Sequence, residues 1–320
     1  MVDRTMRERF ESLAKPELQK SFLEQLLQNR YAIIEGQELV ECIERKRVLD
    51  AQLFQRSDLE TYRAASINDA GYQPEGKEYA TSGKMPDQKR MWQTFREPGI
   101  GTAAINDYPK NKWPDIPGFK EATLTLYESY EAMAFRVLDQ LEQELKLPTN
   151  TLIDLAKGGN SMLRTNYYPS KDQLVPQEYS PSRNMAHTDI NLITLMYTPT
   201  AGGLEVFTEE RGWEDARAPQ KSVIVMTGKL LLALTNGVVR PAWHRVAEGE
   251  GERFSMPFFV HPKPTDIIQP FPQFMAVNSA DLPPTLTAVE FLAAIRGDTQ
   301  GLRDWVKRHS DVPPERRYTR

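Results

Sequence analysis

A chain of 320 residues can bury about three quarters of the surface its unfolded form exposes, so neither a disulfide nor a metal is needed merely to fold it. Its 40 Lys and Arg against 44 Asp and Glu leave a formal charge of −4, which offers no bulk attraction to a phosphate backbone or to anionic lipid. Neither nucleic acid nor membrane is expected as a partner, no obligate protein partner is indicated, and the length allows two domains or one enlarged β domain.

Residues 1–30 are charged and lack the apolar centre of a signal peptide, and no run reaches the roughly 18 apolar residues of a membrane span, so the expected location is the cytoplasm. Pro16 suits a first helical turn, and Phe22, Leu23, Leu26 and Leu27 then lay one apolar stripe along a helix. Tyr31 to Ile34 is a short β-prone run closed by Gly36, after which Leu39, Ile43, Val48 and Leu49 restart a helical pattern. The single cysteine, Cys42, excludes an intramolecular disulfide, a zinc finger and an iron-sulfur site. Asn68 to Pro98 shows neither periodicity and is rich in Gly, Pro and charge, which predicts a long loop with little regular structure.

A long helix is predicted at about 119–146, where Leu124, Tyr127, Tyr130, Ala134, Leu138, Leu141 and Leu145 recur at steps of three and four before Pro148 ends the pattern. Beyond Ser161 the texture changes to short β-rich runs divided by Gly, Pro and Asn. These are Met162 to Tyr168, Ile193 to Tyr197, Leu204 to Phe207, Ser222 to Met226, Leu230 to Thr235 and Phe254 to Val260. Closely spaced short strands argue for a β-barrel or jelly roll, and helix returns at Thr285 to Arg296 and Gly301 to Arg308. The expected organisation is a helical part over 1–160 packed on a β core at 161–265, with a helical segment at 266–320.

Histidine is sparse, with His187, His244, His261 and His309 the whole supply. In a strand, residues i and i+2 share a face, so His187 and Asp189 can present an imidazole and a carboxylate side by side. His244 adds a second imidazole on a later strand. Two histidines and one carboxylate on one side of a metal leave neighbouring positions open, the facial arrangement of non-haem Fe(II) sites. Alone, a His-x-Asp pair is more often a surface hydrogen bond. Here Arg253 and Ser255 follow, again sharing a strand face, and a guanidinium fork beside a hydroxyl is a carboxylate receptor. His261 reads as a structural histidine and His309 as a solvated one.

In this order the motifs resemble those of the Fe(II)/2-oxoglutarate dioxygenases of the isopenicillin N synthase type. The resemblance covers most of the chain: Gly71-Tyr72 with Pro74, Gly76 and Glu78; Pro86-Asp87-x-Lys89; Trp113-Pro114-Asp115-Ile116-Pro117-Gly118-Phe119; Asn166-Tyr167-Tyr168-Pro169; His187-Thr188-Asp189; Gly202-Gly203-Leu204-Glu205-Val206; Thr235-Asn236-Gly237; His244-Arg245-Val246; Arg253-x-Ser255. It implies a mainly β fold with flanking helices, its core a distorted double-stranded β-helix, or jelly roll. It further implies that His187, Asp189 and His244 ligate Fe(II), that Arg253 and Ser255 hold the distal carboxylate of 2-oxoglutarate with help from the Tyr168 hydroxyl, and that Asn166 lies near the iron-proximal end. Two departures stand out. Ser170 replaces a usual proline, and Thr227-Gly228-Lys229 stands where many relatives have Gly-Asp, a change expected to affect only a turn contact.

The implied activity uses Fe(II), 2-oxoglutarate and O2 to oxidise an unactivated C–H bond of a small molecule, with release of succinate and CO2. Hydroxylation is expected first, with desaturation or ring closure as other outcomes, while Asp189 argues against halogenation because halogenating relatives lack that carboxylate. Rival readings are a 2-oxoglutarate-independent non-haem iron oxidase of the same fold and a non-catalytic binding protein on this scaffold. A zinc hydrolase is disfavoured by the lack of a general-base Glu beside His-x-Asp. Trp243, Phe258 and Arg96 are candidate pocket residues for the organic substrate.

Overall fold

In the computed structural model, residues 21–76, 87–97, 108–173, 182–297 and 300–313 are described. The helical turn expected at Pro16 and the Glu78, Pro86 and Pro98 positions lie outside them. Strands β1 (Tyr31–Glu35), β2 (Gly71–Gln73), β3 (Arg90–Phe95), β4 (Met162–Tyr168), β5 (Asn184–His187), β6 (Ile193–Tyr197), β7 (Leu204–Thr208), β8 (Gly212–Asp215), β9 (Ser222–Thr227), β10 (Trp243–Val246), β11 (Arg253–Ser255), β12 (Pro257–Val260), β13 (Ile267–Ile268) and β14 (Leu286–Thr287) follow in chain order. The large sheet runs β1-β9-β6-β12-β4-β3-β2 with β11 also on β4, the small one runs β5-β10-β7-β8, and β13-β14 form a separate ribbon.

Successive side chains of a strand face opposite ways, and the large sheet uses both faces. Ile193, Leu195, Val223 and Val225 enter the core beneath helix Phe119–Glu144. Their neighbours Met196, Ile224 and Met226 turn the other way and meet Leu204 and Val206 of the small sheet. Along β4, Leu163 points to the helix side, whereas Met162, Arg164, Asn166 and Tyr168 line a cavity walled by both sheets. The result is a distorted jelly roll with helices packed outside the large sheet.

Buried tyrosines tie the long helix down, because a buried hydroxyl needs partners. Tyr130 donates to the Met256 carbonyl at 2.9 Å and accepts from the Tyr197 N–H at 3.0 Å, and its ring stacks on Phe258 at 5.6 Å. A second tie is electrostatic. Lys46 and Asp50, both buried on helix Val40–Phe54, form an ion pair, and Asp50 also accepts from the Thr165 hydroxyl of β4 at 2.9 Å.

The stretch expected as one long loop instead contributes β2 and β3, and β3 pairs along its length with β4 from Arg90↔Tyr167 to Phe95↔Met162. Alternation fails there because both faces of β3 are covered. Its polar residues are satisfied internally: Gln93 donates to the carbonyls of Ile67 and Asp69 and accepts from Arg164 at 2.7 Å. The residues before 161 are therefore not only helical, since they supply β1, β2 and β3. The run expected as a strand from Leu230 is helix Lys229–Leu234. It is buried all round, so its continuous apolar composition cannot separate helix from strand. The expected strand at Phe254 to Val260 divides at Met256 into β11 and β12.

Candidate active site

Strand β10 lies between β5 and β7, and its register sets His244 opposite both His187 and Val206. The two imidazoles are thus neighbours across the small sheet, with ring centroids 4.2 Å apart. Each Nδ1 faces the carbonyl oxygen two residues earlier, Met185 at 2.8 Å for His187 and Ala242 at 3.0 Å for His244. A carbonyl can only accept, so Nδ1 carries a proton, and the neutral ring that this tautomer defines presents the Nε2 lone pair. Both Nε2 atoms face Oδ1 of Asp189, at 3.7 Å from His187 and 3.9 Å from His244.

Asp189 sits beyond the end of β5, so the strand alternation expected for His-x-Asp does not account for the pairing. What positions it is the start of helix Lys229–Leu234: the Lys229 N–H donates to the Asp189 carbonyl at 3.0 Å and the Gly228 N–H to Leu192 at 3.0 Å. This close approach requires glycine, because a Cβ at 228 would stand 2.0 Å from the Asn191 carbonyl oxygen. The Thr194 hydroxyl donates to Oδ2 of Asp189 and itself accepts from Asn191 at 2.7 Å. Strand β5 is fixed in turn by Asp87, which accepts from the Met185 N–H at 2.9 Å, and by Lys89, which donates to Asn184 at 2.8 Å.

Burial and the adjacent His244 hold the His187 imidazole well below its usual pKa, against the pull of Asp189. Burial alone would raise the Asp189 carboxyl, but His244, His187, the Thr194 hydroxyl and Lys229 outweigh it and hold the group below the usual carboxylate range. An ionised carboxylate facing a neutral imidazole is the protonation state that a divalent cation requires. The donor atoms of His187, Asp189 and His244 lie within 4.8 Å of one another, and the set of two nitrogens and one oxygen suits Fe(II).

The same cavity holds the second group of expected residues. Strand β11 pairs with β4 as Arg253↔Tyr168 and Ser255↔Asn166, and all four side chains line the cavity. Arg253 is 1% exposed. Its Nε donates to the carbonyls of Ala201 and Gly202 at 3.3 and 3.2 Å, and the guanidinium lies 5.0 Å from the Tyr168 ring centre. Its Nη1 and Nη2 are buried without partners, as is Oδ1 of Asn166, whose Nδ2 donates to Ser255 at 3.3 Å. A buried charged donor left unmet is costly. A ligand carboxylate would satisfy both nitrogens of the fork at once, so the pocket fits a dicarboxylate cosubstrate whose other end reaches the metal donors.

The expected pocket residues Trp243, Phe258 and Arg96 lie outside this cavity. Phe258 points to the helix side by the alternation that sends Phe259 and Pro257 to the cavity. Arg96 pairs with Glu131 and donates to the Gly159 carbonyl, and Trp243 packs beside Phe207 as its register partner in β7. Two residues that sequence reasoning set aside line the cavity instead, His261 and Lys229. His261 continues the Pro257, Phe259 alternation by one more step, a signal present in the sequence. His309 is not solvated: it stacks on Trp305 at 4.4 Å and its Nδ1 meets the Trp305 carbonyl.

A sequence model of the 2OG-Fe(II) oxygenase superfamily matches residues 159–262, the stretch that carries every residue of the two clusters. The chain is 28% identical over 210 residues to the 2-oxoglutarate-dependent dioxygenase ecdK of Aspergillus rugulosus, a match covering 60% of this chain and 62% of that relative's length. To a 2-oxoglutarate-Fe(II) type oxidoreductase of Aspergillus fumigatus it is 26% identical over 313 residues, covering 91% of this chain and 90% of the relative. Among solved structures, a 2OG-Fe(II) oxygenase family protein from Caulobacter crescentus superposes with a TM-score of 0.73 at 29% identity, covering 86% of this chain and 90% of that one. A full-length Neurospora crassa protein in complex with alpha-KG shares the fold, with a TM-score of 0.71 at 21% identity over 91% of each chain. No described helix is long and apolar enough to cross a membrane.

Proposed function

We propose that this chain is a member of the 2OG-Fe(II) oxygenase superfamily, an Fe(II)- and 2-oxoglutarate-dependent oxygenase that hydroxylates an unactivated C–H bond of a small organic molecule. The observation that carries the reading is the buried Arg253 fork, with two unmet donors opening on the cavity that also holds a two-histidine, one-carboxylate cluster. In this reading His187, Asp189 and His244 hold Fe(II), and Arg253 with Ser255 receives the distal carboxylate of 2-oxoglutarate. Tyr168 supports the guanidinium from below, and Asn166 holds the Ser255 hydroxyl. Fe(II), 2-oxoglutarate and O2 together supply the oxidising chemistry, converting 2-oxoglutarate to succinate and CO2 as the substrate C–H bond is oxidised.

The chain's own residues do the positioning. The Met185 and Ala242 carbonyls fix both imidazole tautomers and aim Nε2 inward, as the partners behind a metal-bound histidine do. Thr194 engages one oxygen of Asp189 and leaves the other toward the histidines. The test is product balance. Protein loaded anaerobically with Fe(II) and then given O2, 2-oxoglutarate and a pool of small organic molecules forms succinate in proportion to 2-oxoglutarate lost, and Arg253→Met at the same 2-oxoglutarate concentration does not. Oxidation of a pool member without succinate would replace this reading with the 2-oxoglutarate-independent oxidase.

A further inference from the structure

With Asp189 assigned to the metal and Arg253 to the cosubstrate, the cavity still holds a cation that neither role absorbs. Lys229, the first residue of helix Lys229–Leu234, lines the cavity. The one partner of its ammonium among the described residues is the Thr188 carbonyl, at 2.6 Å. An ammonium has three donors, and no carboxylate of a described residue stands within ion-pair distance of it. The Asp189 charge that does reach it is the one a metal would neutralise.

The placement of this cation is informative. Arg253 pairs with Tyr168 at one end of β4, and Phe259 pairs with Met162 at the other, a separation of roughly 20 Å at about 3.3 Å per residue. At the Met162 end stand His261 and Arg296. Arg296 is near enough to Lys229 and to His261 for its charge to act on both. A neighbouring cavity of about 110 Å³ shares Met162, His261 and Arg296 as its wall and continues into Phe95, Leu230 and Leu292. The main cavity measures about 330 Å³, near the lower end of ligand sites, and in this reading it also houses the cosubstrate, so the second molecule is small.

We propose that the molecule oxidised here is a small organic carboxylate, whose negative group is received by Lys229 with Arg296 on the same wall and whose apolar part enters the cavity formed by Phe95, Leu230 and Leu292. The proposal rests on the oxygenase reading above and adds the substrate's charge and shape to it. Lys229 is then a specificity-determining residue that faces the substrate from the cavity wall, not merely a residue of a turn contact.

The experiment uses the full chain, loaded anaerobically with Fe(II) and saturating 2-oxoglutarate. The probes are hexanoate, cyclohexanecarboxylate and 3-phenylpropanoate, each beside its own primary amide. Binding is read by calorimetry and by the shift of the visible charge-transfer band of the iron-cosubstrate chelate. At least one acid binds tenfold or more tightly than its amide and shifts the band without bleaching it. Lys229→Met weakens that acid about tenfold to a hundredfold, the loss of a charge-assisted contact, with its amide affected less than twofold, and Lys229→Arg retains the preference. Equal binding of acid and amide by the wild type, absence of binding by every acid, or bleaching of the band by displacement of 2-oxoglutarate would each overturn the proposal. So would an equal loss for acid and amide in Lys229→Met, the mark of a purely structural tie to Thr188. If Lys229→Met does not load, the wild-type ratio and Lys229→Arg decide. A wild type that forms no chelate with 2-oxoglutarate defeats the oxygenase reading instead, which separates the two failures.

Discussion

Replacing Arg253 with Lys keeps a positive charge in the pocket and removes the fork, and the structure sets the size of the effect. In the wild type, Nε is spent on the Ala201 and Gly202 carbonyls, so the two Nη atoms are left together for a ligand beside Ser255. A lysine ammonium supplies donors from a single point and loses the bidentate match to a carboxylate. One hydrogen bond to a charged group is worth about 1.5 to 3 kcal/mol, so 2-oxoglutarate affinity falls about tenfold to a hundredfold at about 1.4 kcal/mol per decade. Anaerobic calorimetry of 2-oxoglutarate into the Fe(II) protein measures this directly, and Fe(II) affinity stays unchanged because Arg253 is not a metal donor. Thermal denaturation gives an independent check: at about 100 times its Kd, 2-oxoglutarate stabilises the wild type by about 2.7 kcal/mol, and the same concentration stabilises Arg253→Lys far less. Equal affinities in the two proteins would remove Arg253 from the cosubstrate site.

Asp189→Glu retains some Fe(II) binding in a metal titration but lowers kcat about 10²-fold, the cost of displacing a reacting centre by about 1 Å; an unchanged kcat would contradict a ligand role. Gly228→Ala drives a Cβ into the Asn191 carbonyl and shifts the Asp189 loop, so Fe(II) affinity falls while far-ultraviolet circular dichroism is preserved; wild-type Fe(II) affinity would show that the loop is not held from there. Asp50→Ala strands the buried Lys46 charge and lowers unfolding stability by about 3 to 5 kcal/mol, read from the denaturant midpoint; a loss below about 1 kcal/mol would mean that Lys46 finds water.

The strands that frame the cavity were legible as short β-rich runs divided by Gly, Pro and Asn, as β4, β6 and β9 are. Pattern reading failed where surroundings are alike on all sides. Strand β3 is covered on both faces, with Gln93 satisfied by loop carbonyls, and the Leu230 run is buried all round in a helix. The seven expected site residues do converge, yet for a reason the sequence hid in one case: Asp189 is placed by the backbone of Gly228 and Lys229, remote in sequence, and not by strand geometry. The candidate pocket residues Trp243, Phe258 and Arg96 lie outside the cavity because their side chains point elsewhere, a direction that the sequence reading did not assign. Lys229 was read as a turn residue, since its position in the cavity depends on how the helix start packs against the 189–192 segment.

In the proposed reading Fe(II) and 2-oxoglutarate meet at one site built from His187, Asp189 and His244. Adding Fe(II) anaerobically in substoichiometric steps under saturating 2-oxoglutarate, while following the visible charge-transfer band of the chelate, tests this directly. The band grows linearly to an end point of one Fe(II) per chain in the wild type and fails to form in His244→Ala at the same concentrations, because the two remaining donors cannot keep a facial site. A wild type without the band, or a His244→Ala protein with the same end point and intensity, would contradict the account.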